Sequence, residues 1–242
     1  MLHVSELCFS WKNKSIFKGA SFHLNKSEIV SILGVSGIGK TTLFKLISGI
    51  IKPDSGVIRL GDGTKKFHEY AAYMKQDDLL LPWRTSWENM FLFKELGEKK
   101  KIRSGSCRKL KLRAQNLFKK LEIEEFANFY PEELSGGLKQ RVALAGTLIQ
   151  EKNLILLDEP FSSLDVFTRE SLYSYIKSLV NESEMGILFI THDFRDAVLL
   201  SDKIFIITNY TIEKVYEKNK ESLSYEDIVR KIKSKMDAFE AF

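Results

Sequence analysis

The stretch EIVSILGVSGIGKTTLFKLISGI, residues 28–50, decides how the rest of the chain is read. It opens on an apolar run from Ile29 to Leu33 that is continuous rather than alternating, the mark of a strand buried on both faces. It closes on the helical LFKLISGI. Between them stand Gly34, four residues, Gly39, Lys40 and Thr41, the P-loop spacing in its required place between strand and helix. Glycines let backbone N–H groups wrap phosphates, Lys40 reaches the β and γ oxygens, and the Thr41 hydroxyl binds magnesium. The expected phosphate cradle is therefore Gly34, Val35, Ser36, Gly37, Ile38, Gly39, Lys40, Thr41 and Thr42.

Three more continuous apolar runs lie outward from this stretch, at Leu154 to Leu157, Ile187 to Ile190 and Ile204 to Ile207. With helical segments following or separating several of them, they predict an α/β protein with a parallel sheet. From His3 to Leu24 the pattern changes to short strands around a turn near Asn13, and DSGVIRLGDG (54–63) adds a turn, a strand and a turn. A small antiparallel sheet at the N-terminal end is expected. Residues 83–150 read as helical, with Leu110, Leu117 and Leu121 among the spaced apolar positions. The predicted organisation is one domain over 1–242. It has a P-loop core with the antiparallel β sub-domain in 1–82, an inserted helical sub-domain in 83–150, the rest of the core in 151–221 and a C-terminal helix in 222–242.

Composition narrows the function. Of the 242 residues 44% are hydrophobic, which suits a soluble globular domain, and no apolar run approaches the ~18 residues that cross a bilayer. No signal peptide is recognisable at the N-terminus, so a membrane role is expected to work through a partner or the membrane surface. The two cysteines, Cys8 and Cys107, have no metal-ligand spacing, which argues against a disulfide framework or a zinc site. The net charge is +5, and residues 98–120 hold ten lysines and arginines against one glutamate. That segment reads as a solvated helix face and its leading loop, with a nucleic-acid or anionic-lipid surface as the lesser alternative.

Two further stretches carry chemistry. LILLDEP (154–160) buries a strand and then emits Asp158 and Glu159 at the C-terminal edge of a parallel sheet, where α/β proteins bind ligands. Asp158 is expected to hold magnesium, and Glu159 to polarise the water that attacks the γ-phosphate. ELSGGLKQR (133–141) leads a serine and two glycines into a helix, the makeup of a second anion-binding N-terminus. One chain thus offers two phosphate cradles.

Taken together these motifs resemble the ATP-binding subunit of an ABC transporter, and the resemblance runs from Trp11 to about Thr208. LSGGLKQR matches the family signature, Gln76 in YMKQDDLLLPW the Q-loop, SSLD (162–165) the D-loop, and His192 in ITHD the switch histidine. The resemblance implies two copies packed head to tail, with ATP between one copy's P-loop and the other's signature. Ser135, Gly136 and Gly137 would then complete the partner's site, which accounts for the second cradle. It further implies that Trp11 stacks on adenine, that Gln76 senses magnesium and the attacking water, that His192 touches the γ-phosphate, and that Asp165 communicates between sites. The implied catalytic set is Glu159, His192, Gln76 and Lys40, the implied metal set Thr41, Gln76 and Asp158, and the cofactors ATP and Mg2+. One departure stands out: where the family commonly has arginine and alanine after the signature, this chain has Gly146 and Thr147. A looser helix is expected there.

LLLPWRTSWENM (79–90), FSSLDVFTRESL and THDFRDAVLLSDKI resemble the importer subgroup for nitrate, sulfonates, taurine and related small solutes. The resemblance implies polytopic permease subunits, a separate solute-binding protein, a peripheral place on the cytoplasmic face of the cell membrane, and no nucleic-acid partner. Pro82, Trp83 and Trp87 are expected to form an exposed socket for the permease. Thiamine precursors, metal chelates or bicarbonate stay open as cargo. An exporter or lipid-extraction ATPase is the alternative, and a soluble ATPase acting on ribosomes or DNA a more distant one.

Overall fold

The computed structural model describes residues 1–63, 66–77, 79–97, 104–218 and 220–240. The chain runs β1 (Leu2–Trp11), β2 (Lys14–Leu24), β3 (Ile29–Leu33), α1 (Lys40–Ile47), β4 (Ser55–Leu60), α2 (Phe67–Tyr70) and β5 (Ala71–Met74). It continues through α3 (Ser86–Met90), α4 (Leu92–Gly97), α5 (Ser104–Lys120), a 3-10 turn at Pro131–Glu133 and α6 (Gly136–Leu148). Then come β6 (Leu154–Asp158), α7 (Val166–Glu182), β7 (Gly186–Ile190), α8 (Phe194–Leu200), β8 (Lys203–Thr208), β9 (Thr211–Glu217) and α9 (Tyr225–Glu240).

All four continuous apolar runs are strands of one six-stranded sheet, ordered β5-β6-β7-β3-β8-β9. Its first five strands are parallel and β9 is an antiparallel edge. β3, β6, β7 and β8 are buried along their whole length, because the sheet is covered on both faces. Alternate residues enter different cores. Ile155, Leu157, Ile187 and Phe189 pack with the helices after residue 85, whereas Leu154, Leu156, Leu188 and Ile190 pack with α1 and the N-terminal strands. The N-terminal strands form the expected second sheet, β2-β1-β4, antiparallel throughout.

Between Ser86 and Leu148 the regular elements of the described residues are helical, with residues 121–135 forming turns and the 3-10 turn between α5 and α6. Residues 98–103, the first part of the basic segment, lie outside the described set. In α5 the apolar Ala114, Leu117 and Phe118 are buried, while Arg108, Lys109, Lys111, Lys119 and Lys120 are exposed, as the solvated-face reading expects. Arg113 reaches inward to an ion pair with Glu151.

The expected loosening after the signature does not interrupt α6. It continues through Gly146 and Thr147 to Leu148, with the Thr147 hydroxyl donating to the Ala143 carbonyl (2.9 Å). Val142, Leu144, Ala145 and Leu148 are buried there, and one such leucine contributes about 1.5–3 kcal/mol, more than the glycine costs. A Cβ on Gly146 would meet the Met90 Cα at 3.6 Å, an ordinary contact. Gly146→Ala should therefore stabilise the protein by about 0.5–1 kcal/mol, read as a rise in the urea midpoint at unchanged slope. An unchanged or lower midpoint would show that the glycine serves the α3–α6 approach.

Candidate functional site

The P-loop occupies the turn from β3 into α1, as the sequence predicts. Gly39, the N-cap of α1, has φ 116°, a conformation that disfavours any side chain. A Cβ there would also lie 2.5 Å from Ile16 Cγ2 of β2. The first turn of α1 carries no acidic residue and no side-chain cap, so its N–H groups and positive dipole end are free for an anion. The Lys40 ammonium donates to the carbonyls of Gly34 (2.7 Å) and Val35 (3.1 Å), which lays it along the loop. Burial lowers its pKa, and the charges of Glu159 and Asp158 oppose that shift.

Asp158 ends β6 with only 1% of its surface exposed. Its carboxylate is hydrogen-bonded by the Thr41 side chain and accepts from the Tyr73 hydroxyl at 3.3 Å. Burial raises the Asp158 pKa, while these two hydrogen bonds and Lys40 act against the shift. Burial, and then the charge of Asp158, raise the Tyr73 phenol, which keeps it a donor. A buried carboxylate beside a threonine hydroxyl supplies hard oxygen ligands, the donor set that suits Mg2+. Among the described residues no group of three or more His, Cys, Asp or Glu forms a metal cage.

Glu159 gathers two of the predicted residues. Its Oε2 accepts from Gln76 Nε2 at 3.3 Å and lies 3.3 Å from His192 Nδ1. Its backbone sits at φ 50°, uncommon for a residue with a side chain. Its backbone is held there by its own N–H donating to the Ile190 carbonyl (2.9 Å) and by its carbonyl accepting from Gln140 Nε2 (2.7 Å) and from Ser162 Oγ (3.1 Å). Such a held, unfavourable conformation is the kind found at active sites.

Ser135 is the N-cap of α6, its hydroxyl accepting from Leu138 N at 3.3 Å, and Gly136 beside it is exposed. Asp165 caps α7, accepting from Thr168 N (3.0 Å) and Thr168 Oγ1 (2.6 Å), bonds that lower its pKa. Trp11, 54% exposed, stands at the β1–β2 hairpin opposite Lys14, on the hairpin whose Ile16 backs Gly39. The structure thus brings Lys40, Thr41, Asp158, Glu159, Gln76 and His192 together, while Ser135 is hydrogen-bonded within its own helix.

Sequence reasoning missed Gln140. Buried on α6, it donates to the Glu159 carbonyl and to Ser162 Oγ (3.2 Å) and accepts from Ser163 N (3.0 Å), so it bolts the signature helix to the turn after β6. Its place four residues after Gly136, one helical turn along LSGGLKQR, was the available signal.

A P-loop at the edge of a parallel sheet, facing a buried aspartate and a glutamate, defines a nucleotide-hydrolysing ATPase of the α/β class. The ABC transporter family profile matches residues 17–162. The formylaminopyrimidine import ATP-binding protein ThiZ of Halalkalibacterium halodurans is 38% identical over 210 residues, 86% of this chain and 80% of that protein. The aliphatic sulfonates import ATP-binding protein SsuB 1 of Shouchella clausii is 33% identical over 218 residues, 90% of this chain and 81% of that one. Among solved structures, the ATP-binding cassette MJ0796, described as bound to ADP and Pi in a dimeric post-hydrolysis state, aligns with a TM-score of 0.78 at 27% identity. That alignment covers 89% of this chain and 99% of the other. The chain belongs to the ABC transporter family, as its ATP-binding cassette.

Proposed function

We propose that this chain is the ATP-hydrolysing subunit of an importer for a small organic solute of the nitrate, sulfonate or taurine kind, as a single domain with the helical insert at 83–150. Two copies close head to tail, each P-loop facing the other copy's Ser135, Gly136 and Gly137. Trp11 stacks on adenine, and Gly34 to Thr42 cradle the phosphates. Thr41 and Asp158 hold Mg2+, which when bound neutralises charge on the β and γ oxygens. Glu159, oriented by Gln76 and His192, takes a proton from the attacking water, and Lys40 and His192 hold the γ-phosphate oxygens. Asp165 links the two sites. Because ATP binds the closed pair better than the open one, binding drives closure and hydrolysis reverses it. The pair works at the cytoplasmic face of the cell membrane with polytopic permease subunits and a separate solute-binding protein.

The observation that carries this reading is the 70% exposure of Trp83 on a pinned turn. The buried Asn89 amide fixes that turn, accepting from Leu81 N (2.7 Å) and donating to the carbonyls of Leu81 (3.2 Å) and Arg84 (2.9 Å). Arg84 forms a two-pronged pair with Glu95 (2.7 Å for each prong). An exposed indole on so rigid a support, beside the exposed Pro82, suits a socket for a permease segment. Trp87 does not belong to it: it packs edge-on against Phe91 and Phe118, both at 5.3 Å, in the helical core. The test is purification of the tagged chain from native membranes in mild detergent. The chain should bring down a polytopic permease. Trp83→Ala should fold and hydrolyse ATP alone yet weaken that association by about 2 kcal/mol, roughly thirtyfold. Recovery with ribosomes or nucleic acid, or an unfolded Trp83→Ala, would overturn the reading.

A further inference from the structure

Tyr73 has no role in the reaction as set out so far, yet its hydroxyl donates to the buried Asp158 carboxylate. It sits on β5, where its Cα pairs with Leu156 of β6, two residues before Asp158. Its ring meets Phe44 of α1 edge-on at 5.5 Å and 88°, so the phenol is braced by the helix that the P-loop opens. Three residues further along the same segment, Gln76 donates to Glu159. One short strand and the segment that follows it thus deliver a hydrogen bond to each of two adjacent carboxylates with different work. The last torsion of an aspartate is broad unless its partners fix it, the partners here are Thr41 and Tyr73, and a metal requires a set oxygen direction.

We propose that Tyr73 is a positioning residue for the metal, its hydroxyl orienting the Asp158 carboxylate so that β5 and the segment after it set the geometry of Asp158 and Glu159 together. This rests on the reading of Asp158 as a metal holder. Any displacement of the segment that carries Gln76 would then disturb cation binding and water activation in one movement. The strand before the glutamine that the sequence motif marks thus gains a hold on the cation.

The experiment is a titration of Mn2+, followed by electron paramagnetic resonance, into the full chain saturated with a non-hydrolysable ATP analogue. Analogue affinity without metal is measured in parallel. Tyr73→Phe should weaken Mn2+ about tenfold, as loss of a partner behind a metal ligand does, and leave metal-free nucleotide affinity within about twofold. Should the phenylalanine variant fail to fold, Tyr73→Met carries the same readout with a side chain that refills the space. Unchanged Mn2+ affinity, or equal weakening of nucleotide with and without metal, would refute the positioning role. Asp158→Asn separates the two layers. If it weakens Mn2+ while Tyr73→Phe does not, only Tyr73 loses its role; if it does not, the metal reading of Asp158 falls and this inference with it.

Discussion

Glu159→Gln should bind ATP with near-native affinity, turn over roughly two to four orders of magnitude more slowly, as loss of a positioned base does, and collect as an ATP-bound dimer. The substitution is isosteric and keeps an amide oxygen facing Gln76 Nε2, so the group 3.3 Å away retains an acceptor. What it loses is a carboxylate able to take a proton from water. Folding should be unaffected, because the bonds that hold residue 159 at φ 50° run through its backbone to Ile190 and Gln140. Nucleotide binding should persist, since Lys40, Thr41 and the α1 N-terminus do not depend on the acid. Single-turnover hydrolysis and size-exclusion chromatography with ATP and Mg2+ decide the matter. Turnover within a few-fold of native would remove Glu159 as the base and direct attention to His192, 3.3 Å from it.

The two-sided burial that makes a parallel sheet also makes it legible. β3, β6, β7 and β8 show as unbroken apolar runs because neither face has a solvent side to alternate with. β5 and β9 lack that mark. AAYM is four residues long and owes its strand state to pairing with β6, and β9 sets Glu213 and Lys214 between its buried Ile212 and Val215. The site divides along the same physical line. Local spacing announces the P-loop, where one glycine must adopt φ 116° and one lysine must follow it. Contacts closed across the chain leave no local pattern, so Tyr73 is invisible until the fold brings it to Asp158, while Gln140 shows only its helical spacing from Gly136 and not its partner Glu159. The tryptophans make the point within four residues. α3 begins only at Ser86, so Trp87 turns inward with the helix while Trp83 remains on the turn ahead of it.

Gly137→Ala should cut ATP turnover about a hundredfold, the scale of a displacement near 1 Å in a catalytic array, and lower stability by about 1–3 kcal/mol through overpacking. The reason is space rather than backbone freedom. A Cβ at residue 137 would stand 2.8 Å from the Ser163 carbonyl oxygen and 3.6 Å from Leu164 Cδ2. A backbone oxygen cannot swing aside as a side chain can. Nor can its loop yield freely, because Ser163 N is bonded to Gln140 Oε1 and Gln140 Nε2 to the Glu159 carbonyl. Pushing α6 away from the loop breaks that bolt, and pushing the loop away moves Glu159 itself. Gly136 provides the control from the same motif: a Cβ there finds its nearest neighbours, in the Ser163 side chain, at 3.9 Å. Gly136→Ala should therefore leave the melting temperature of the single chain unchanged. In a head-to-tail pair it would instead crowd the phosphates of the second copy, so its loss should fall on ATP-driven dimerisation alone. Nucleotide binding to the monomer should survive in both variants, since the P-loop lies elsewhere in the chain. The two glycines are thus separable by calorimetry and ATP-dependent chromatography. If Gly137→Ala matched the native protein in melting temperature and turnover, the close contact between α6 and Ser163 would have no part in holding the catalytic turn.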